Sequence, residues 1–246
     1  MSICVYLSSF VVQYFAILPK GHYVLNTLWR VNLLKKITFL LLVLFVSSAS
    51  MADFSLVNKL SEDQISQAYY KSYTYEKSGN YNDAIKSIQL VYQRYEATYG
   101  VNNRLGKLFR MNAQYRNSIS HYKKAIKALP NAISPKLGLM YSYLLAKNYE
   151  AVNKVGYQVI STDYYNYYGN FRLAVALRQL NKLDLAEKIL IKMLIRYPGD
   201  TLYLTQLGLL NNQQKKYLRA KAIFKEVLIL DPENVNAKTV LGTLIK

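Results

Sequence analysis

Residues Thr201 to Asn234, TLYLTQLGLLNNQQKKYLRAKAIFKEVLILDPEN, decide how the chain is read, because their residue types and spacings recur backwards through most of the sequence. Apolar residues at helical spacing predict two helices here, from about Thr201 to Asn212 and from about Leu218 to Leu230. Gly208 and Ala220 have almost no side chain, so the two antiparallel helices can approach at the short end of the usual ~8–10 Å range of axial separations. Phe224 then fills the space beside them. Pro232 lacks a backbone donor and disfavours helix in Asp231, so the second helix stops there and another unit can start.

Shifts of 34 residues keep this register. Pro232 maps to Pro198 and, past Tyr164, to Pro130. Ala220 maps to Ala186, Val152, Ser118 and Ala84; Tyr217 to Leu183, Tyr149, Tyr115 and Tyr81; Gly208 to Ala174, Met140, Gly106 and Ser72. Units beginning near Ile65, Tyr99, Ile133, Tyr167 and Thr201 follow without insertion or deletion. Their Leu-Gly, Ala-x3-Phe and Pro spacing, most complete at Leu207-Gly208, Ala220, Phe224 and Pro232, resembles the tetratricopeptide repeat. The resemblance implies an all-α fold: a right-handed superhelical solenoid of five tandem helix-turn-helix units, 65–98, 99–132, 133–166, 167–200 and 201–234. A sequence of 246 residues with only 10 Gly and 5 Pro, 52% hydrophobic, fits one such solenoid behind a leader and argues against an all-β or loop-rich chain.

Both ends of the array carry their own signals. Residues 53–64 form a short lead-in, closed by Ser61-Glu62-Asp63-Gln64 with the spacing of a capping box. Gly79-Asn80 suits a left-handed stop to the first helix. Residues 235–246 start a sixth unit, with Leu241-Gly242 where Leu207-Gly208 stood. There Ala237, Val240, Leu241, Leu244 and Ile245 share a stripe and Asn236, Lys238, Thr239, Thr243 and Lys246 lie off it, as a capping helix with a polar outer face requires. The unit from Ile133 departs most from the pattern, with Met140, Val152 and Gly156 where the family places Gly, Ala and an aromatic, and looser packing is expected there. No unit has the family's Trp, since Trp29 lies in the leader.

Residues 1–52 stand apart from the repeats. Val31 to Ala52 has the three parts of a signal peptide: Lys35-Lys36, an apolar run from Ile37 to Val46, and small residues ending at Ser50 and Ala52. The run is short for a membrane span, which takes ~20 residues, although an uncleaved inner-membrane anchor is the alternative. Met1 to Arg30 contains a second apolar segment, Ile3 to Leu18, which points either to translation starting near Val31 or to a hairpin anchor. The single Cys4 is in the leader, so no disulfide is expected after cleavage. Together with the Tyr-, Asn- and Lys-rich composition, this reads as a bacterial chain exported to the periplasm or secreted.

Little in the sequence could carry catalysis. His22 would leave with the leader, so a triad or a multi-histidine metal site would depend on His121 alone, which reads as a surface or edge residue. Asp163, Asp200 and Asp231 fall at unit junctions, where carboxylates start helices. No enzyme, cofactor or metal is expected. The formal charge is +18, with four of the cations in the leader. Such a balance favours acidic partners or anionic membranes. Lys123, Lys124, Lys127, Lys215, Lys216, Arg219, Lys221 and Lys225 fall on second helices or turns, however, where they read as a solvated convex face. Nucleic acid is not an expected partner.

Proteins resembling this family bind partner segments on the concave side, lined by the second, fifth, ninth and twelfth residues of each first helix. Those positions supply the candidate groove: Tyr69, Tyr73, Lys107, Arg110, Tyr141, Tyr168, Phe171 and Arg178. Aromatic walls with cations between them suit a ligand that is partly apolar and partly acidic, and Tyr and Arg are types enriched at binding hot spots. Tyr69 and Tyr73 occupy the places from which some relatives clamp a terminal carboxylate, so that mode is not supported. Two functions follow: a non-catalytic scaffold docking a segment of another envelope protein, or a polysaccharide-export component contacting an acidic polymer. A secreted effector is a third reading. Contact with a membrane would come through an uncleaved leader.

Overall fold

A computed structural model describes residues 59–244, which from Leu60 onward form one compact unit. The leader, with its signal-peptide and anchor readings, the first half of the lead-in and the last two residues lie outside the described part. Eleven helices run in order among the described residues: α1 (Glu62–Lys77), α2 (Tyr81–Arg94), α3 (Tyr99–Met111), α4 (Tyr115–Ala128), α5 (Ile133–Leu145), α6 (Tyr149–Thr162), α7 (Tyr167–Gln179), α8 (Leu183–Arg196), α9 (Thr201–Gln213), α10 (Tyr217–Leu230) and α11 (Val235–Leu244). No strand occurs among them. These residues form an all-α solenoid in which odd-numbered A helices alternate with even-numbered B helices. From α4 onward every helix starts 34 residues after its counterpart in the preceding unit.

Only α1 is longer, because Ser61 caps it early: Gln64 N donates to Ser61 Oγ at 3.2 Å and Ser61 N donates to Gln64 Oε1 at 2.9 Å. Each turn from A to B passes through one left-handed residue, Gly79 (φ 73°), Ala113 (57°), Lys147 (56°), Asn181 (58°) or Lys215 (61°). Reversing the chain in three residues requires that conformation, which glycine adopts without steric cost.

Junction carboxylates act in two ways. Asp200 caps α9 directly, accepting from Leu202 N and Tyr203 N at 3.0 and 3.1 Å. Asp163 and Asp231, read in the sequence as helix starters, instead terminate α6 and α10. Each accepts an amide proton at 3.0 Å from Asn166 or Asn234, and the oxygens of those asparagines accept from Gly169 N and Ala237 N.

Consecutive helices pack throughout, and A helices also touch the next A helix at α3–α5, α5–α7 and α7–α9. The pairing within each repeat follows side-chain volume. Gly208 faces Phe224, whose ring would lie 2.8 Å from a Cβ added at 208, and Gly106 faces Tyr122 at the same distance. In the unit from Ile133 the sizes are exchanged: Met140 reaches Gly156, with its Cε 3.1 Å from where a Cβ would stand. Met140 and Val152 are fully buried, so the exchange leaves neither of these two positions open to solvent. The sum of the two volumes is conserved, which is what a close-packed interface senses.

Candidate functional site

The inner faces of α1, α3, α5 and α7 enclose an open cavity of about 510 Å³. It brings together six of the eight groove candidates: Tyr69, Tyr73, Lys107, Arg110, Tyr141 and Tyr168. The tyrosine rings stay available, with Tyr73 50%, Tyr141 38% and Tyr168 53% exposed.

Two cations on the α1–α3 side are already engaged. Arg104, only 5% exposed, donates from Nε to Ser72 Oγ at 3.0 Å and from Nη1 to the Glu76 carboxylate, with its Cζ 3.8 Å from the Tyr73 ring centre. Lys107 Nζ reaches the other oxygen of Glu76 at 2.6 Å. Burial alone would raise the Glu76 pKa, but hydrogen bonds from Lys107 and Arg104 outweigh it and hold the carboxyl below its ordinary value.

On the α3–α7 side the arrangement is different. Arg110 and Arg172 both lie against the Tyr141 ring, with Cζ atoms 4.6 and 4.9 Å from its centre, and Arg172 also lies 5.1 Å from that of Tyr168. Arg172 is tethered by Nη1 donating to Leu137 O at 2.8 Å. Burial, and after it the charge of Arg110, depresses the pKa of Arg172, so the two guanidinium groups repel through a partly dehydrated space. Among the described residues no carboxylate pairs with either one. Tyr122 completes the floor by reaching across to α5, where a Cβ at Gly138 would fall 2.2 Å from its Cζ.

Phe171 and Arg178 do not line this cavity. Phe171 packs partly buried on the core, its ring 5.7 Å from that of Tyr203. Arg178 donates to Gln206 at 3.3 Å and Gln213 at 3.5 Å, tying α7 to α9. The sequence reading missed Arg104 and Arg172, each the sixth residue of its A helix, with Gly138 at that place in α5 between them. An Arg-Gly-Arg column at one register position is the signal that marks them.

His121 is a half-buried edge residue. It stacks on Phe109, with ring centres 5.1 Å apart, and meets Tyr92 edge-on at 5.0 Å. Asn102 spends its amide protons on the carbonyls of Glu96 and Thr98, so its oxygen must accept and His121 Nδ1 donates to it at 2.9 Å. Burial, aided by the charge of Lys124, lowers the histidine pKa to about 4. Among the described residues no group of three or more His, Cys, Asp or Glu side chains could hold a metal ion.

No protein-family model and no curated protein matches the chain. Solved structures do. A tetratricopeptide repeat protein of Parabacteroides merdae superposes with a TM-score of 0.67 at 15% identity, over 74% of this chain and 72% of that one. MamA of Desulfovibrio magneticus does so with 0.65 at 16% identity, over 72% of this chain and 99% of that one. The fold is that of the tetratricopeptide repeat. YrrB, described as a tetratricopeptide repeat protein with an unusual peptide-binding site, matches with 0.62 at 11% identity, over 78% and 96% of the two chains. Among the described residues no helix is long and apolar enough to cross a membrane.

Proposed function

We propose that the chain is a non-catalytic interaction scaffold of the bacterial envelope, docking a segment of a partner protein on the A-helix side of its tetratricopeptide array. The observation that carries this reading is the cavity in which half-exposed tyrosines and arginines from four A helices face one space. Rings held on packed helices lose little freedom on binding, and such residues supply most of the energy of protein interfaces. A peptide-binding site in YrrB, on the same fold, is in keeping with it. The envelope location rests on the signal-peptide pattern of Val31 to Ala52.

A photo-crosslinking amino acid at position 141, compared with one at the B-helix position 229 in cells that are then fractionated, tests both parts. A partner captured from 141 and not from 229, in the periplasmic fraction, supports the scaffold. Equal capture at both positions removes the groove, and an uncleaved chain in the cytoplasm removes the location.

A second reading has its own observation. Lys192 Nζ and Arg196 Cζ lie 3.9 and 4.8 Å from the ring centres of the exposed Tyr164 and Tyr165, a basic aromatic patch of the kind that acidic sugars contact. Binding an acidic polysaccharide there would weaken steeply with salt, whereas docking in the groove would weaken far less.

A further inference from the structure

Four cations border the cavity, yet they are not equivalent. Arg104 and Lys107 both hold the carboxylate of Glu76. Arg110 and Arg172 have no counter-charge among the described residues, although both lie against the Tyr141 ring and the charge of Arg110 acts on Arg172. Arg110 also keeps its Nε out of solvent without any hydrogen-bond partner, and Arg172 has given only one Nη1 proton to the backbone. Two guanidinium groups in a half-dry space cost free energy that an anion placed between them would recover.

We propose that the Arg110–Arg172 pair is the specificity site of the groove, receiving one carboxylate side chain from an extended acidic segment of the partner, with an apolar or aromatic neighbour of that residue lying on Tyr141 and Tyr168. This rests on the groove reading above. Charge complementarity fixes the occupant's chemistry. Because Glu76 already occupies the other two cations, one uncompensated site remains, which suits a single Asp or Glu and not a polyanion. An internal side chain is favoured over a chain terminus because the A-helix face continues past the pair on both sides, to Tyr69 on α1 and to the Arg178–Gln206 contact between α7 and α9. A segment can therefore run through.

Panning the full-length chain against a phage-displayed library of random twelve-residue peptides, displayed with no free C-terminus, tests the proposal. The expected result is a set of binders sharing one acidic position beside an apolar or aromatic one. Converting that acid to its amide, or making Arg110→Gln with Arg172→Gln, should each weaken binding about tenfold or more, with no further loss when combined. Arg172→Lys, which keeps the charge and loses the planar fork, should lie between. Circular dichroism of each variant reports whether the helices persist. Binders without an acidic position, or with a run of them, overturn the proposal and leave groove docking intact. Acid-dependent binding that ignores the arginine substitutions places the site elsewhere and also overturns it. If the double variant loses its helices, the intermediate affinity of Arg172→Lys decides instead, and unchanged affinity there rejects the pair. A library that yields no binder at all rejects the groove reading together with this one.

Discussion

At the scale of single residues, the turns show where backbone conformation and side-chain choice disagree. Ala113, Lys147 and Lys215 hold the left-handed conformation that Gly79 adopts at the same place in the first repeat. An L-residue there costs roughly 1–2 kcal/mol, and part of the gain from glycine is lost to its freer unfolded chain. Replacing any one of the three by glycine should therefore stabilise by about 0.5–1 kcal/mol, read as a higher midpoint in urea, whereas Gly79→Ala should lower it by a similar amount. His121 makes a prediction of opposite character. Its folded pKa of about 4 lies below the unfolded value near 6.5, so between these pH values the unfolded chain binds more protons and stability falls as the pH falls. His121→Asn should be less stable at neutral pH and should show a smaller decline from pH 6.5 to 4. An unchanged slope would mean that the ring is not held neutral between Phe109 and Tyr92.

At the scale of the helix pair, complementary volume is the rule: a small residue on one helix meets a large one on the other, and which helix supplies which is free to change. Met140 with Gly156 therefore does the work that Gly208 with Phe224 does in the last repeat, and the buried Ala174 and Leu190 stand at the same two register positions of the repeat between them. Met140→Ala alone should cost about 2–5 kcal/mol through the cavity it leaves, and Gly156→Leu alone about 1–3 kcal/mol through overpacking against Met140 and Leu173. Together they rebuild the Ala174–Leu190 arrangement, so a double-mutant cycle in thermal or urea unfolding should show favourable coupling of at least ~1 kcal/mol. Additive losses would mean that the backbones in this unit are spaced differently. The same logic explains what could be read without coordinates. The period, the helix pairs and the Gly208–Phe224 contact follow from residue types, because close packing depends on volume and spacing. The Met140–Gly156 contact was not legible, because treating each position alone misses the exchange of sizes. The cavity was legible only in part, since the rotation of successive A helices decides whether an aromatic such as Phe171 turns into the core or a residue such as Arg172 turns out of it, and the repeat length does not encode that rotation.

For the whole array, the apolar interior is divided into clusters, each linking neighbouring units. One joins Ile88 and Val91 to Val101 and Leu105, a larger one runs from Met140 to Leu210, and a third ties Leu204, Ala220, Phe224 and Val227 to Ala237 and Leu241. Between the first two lies a buried polar seam, where Ser118 donates to Gly106 O at 2.7 Å and contacts Ser142 Oγ at 2.7 Å. Tyr122 crosses this seam to Gly138, so the candidate site stands over a polar joint of the array. When each unit touches only its neighbours, stability is a sum of local terms and damage at one end should stay there. The helix α11 offers the test, because Ala237 and Leu241 are its buried anchors on the last full repeat. Leu241→Asp removes one anchor and puts a carboxylate into an apolar contact, which should undock α11. Phe224 and Val227 then lose cover, and amide hydrogen exchange in α9 and α10 should accelerate by tenfold or more. Rates in α1 to α4, three units away, should not change. Uniform acceleration from α1 to α10 would show that the seam at Ser118 and Ser142 transmits unfolding, and that the array behaves as one cooperative block.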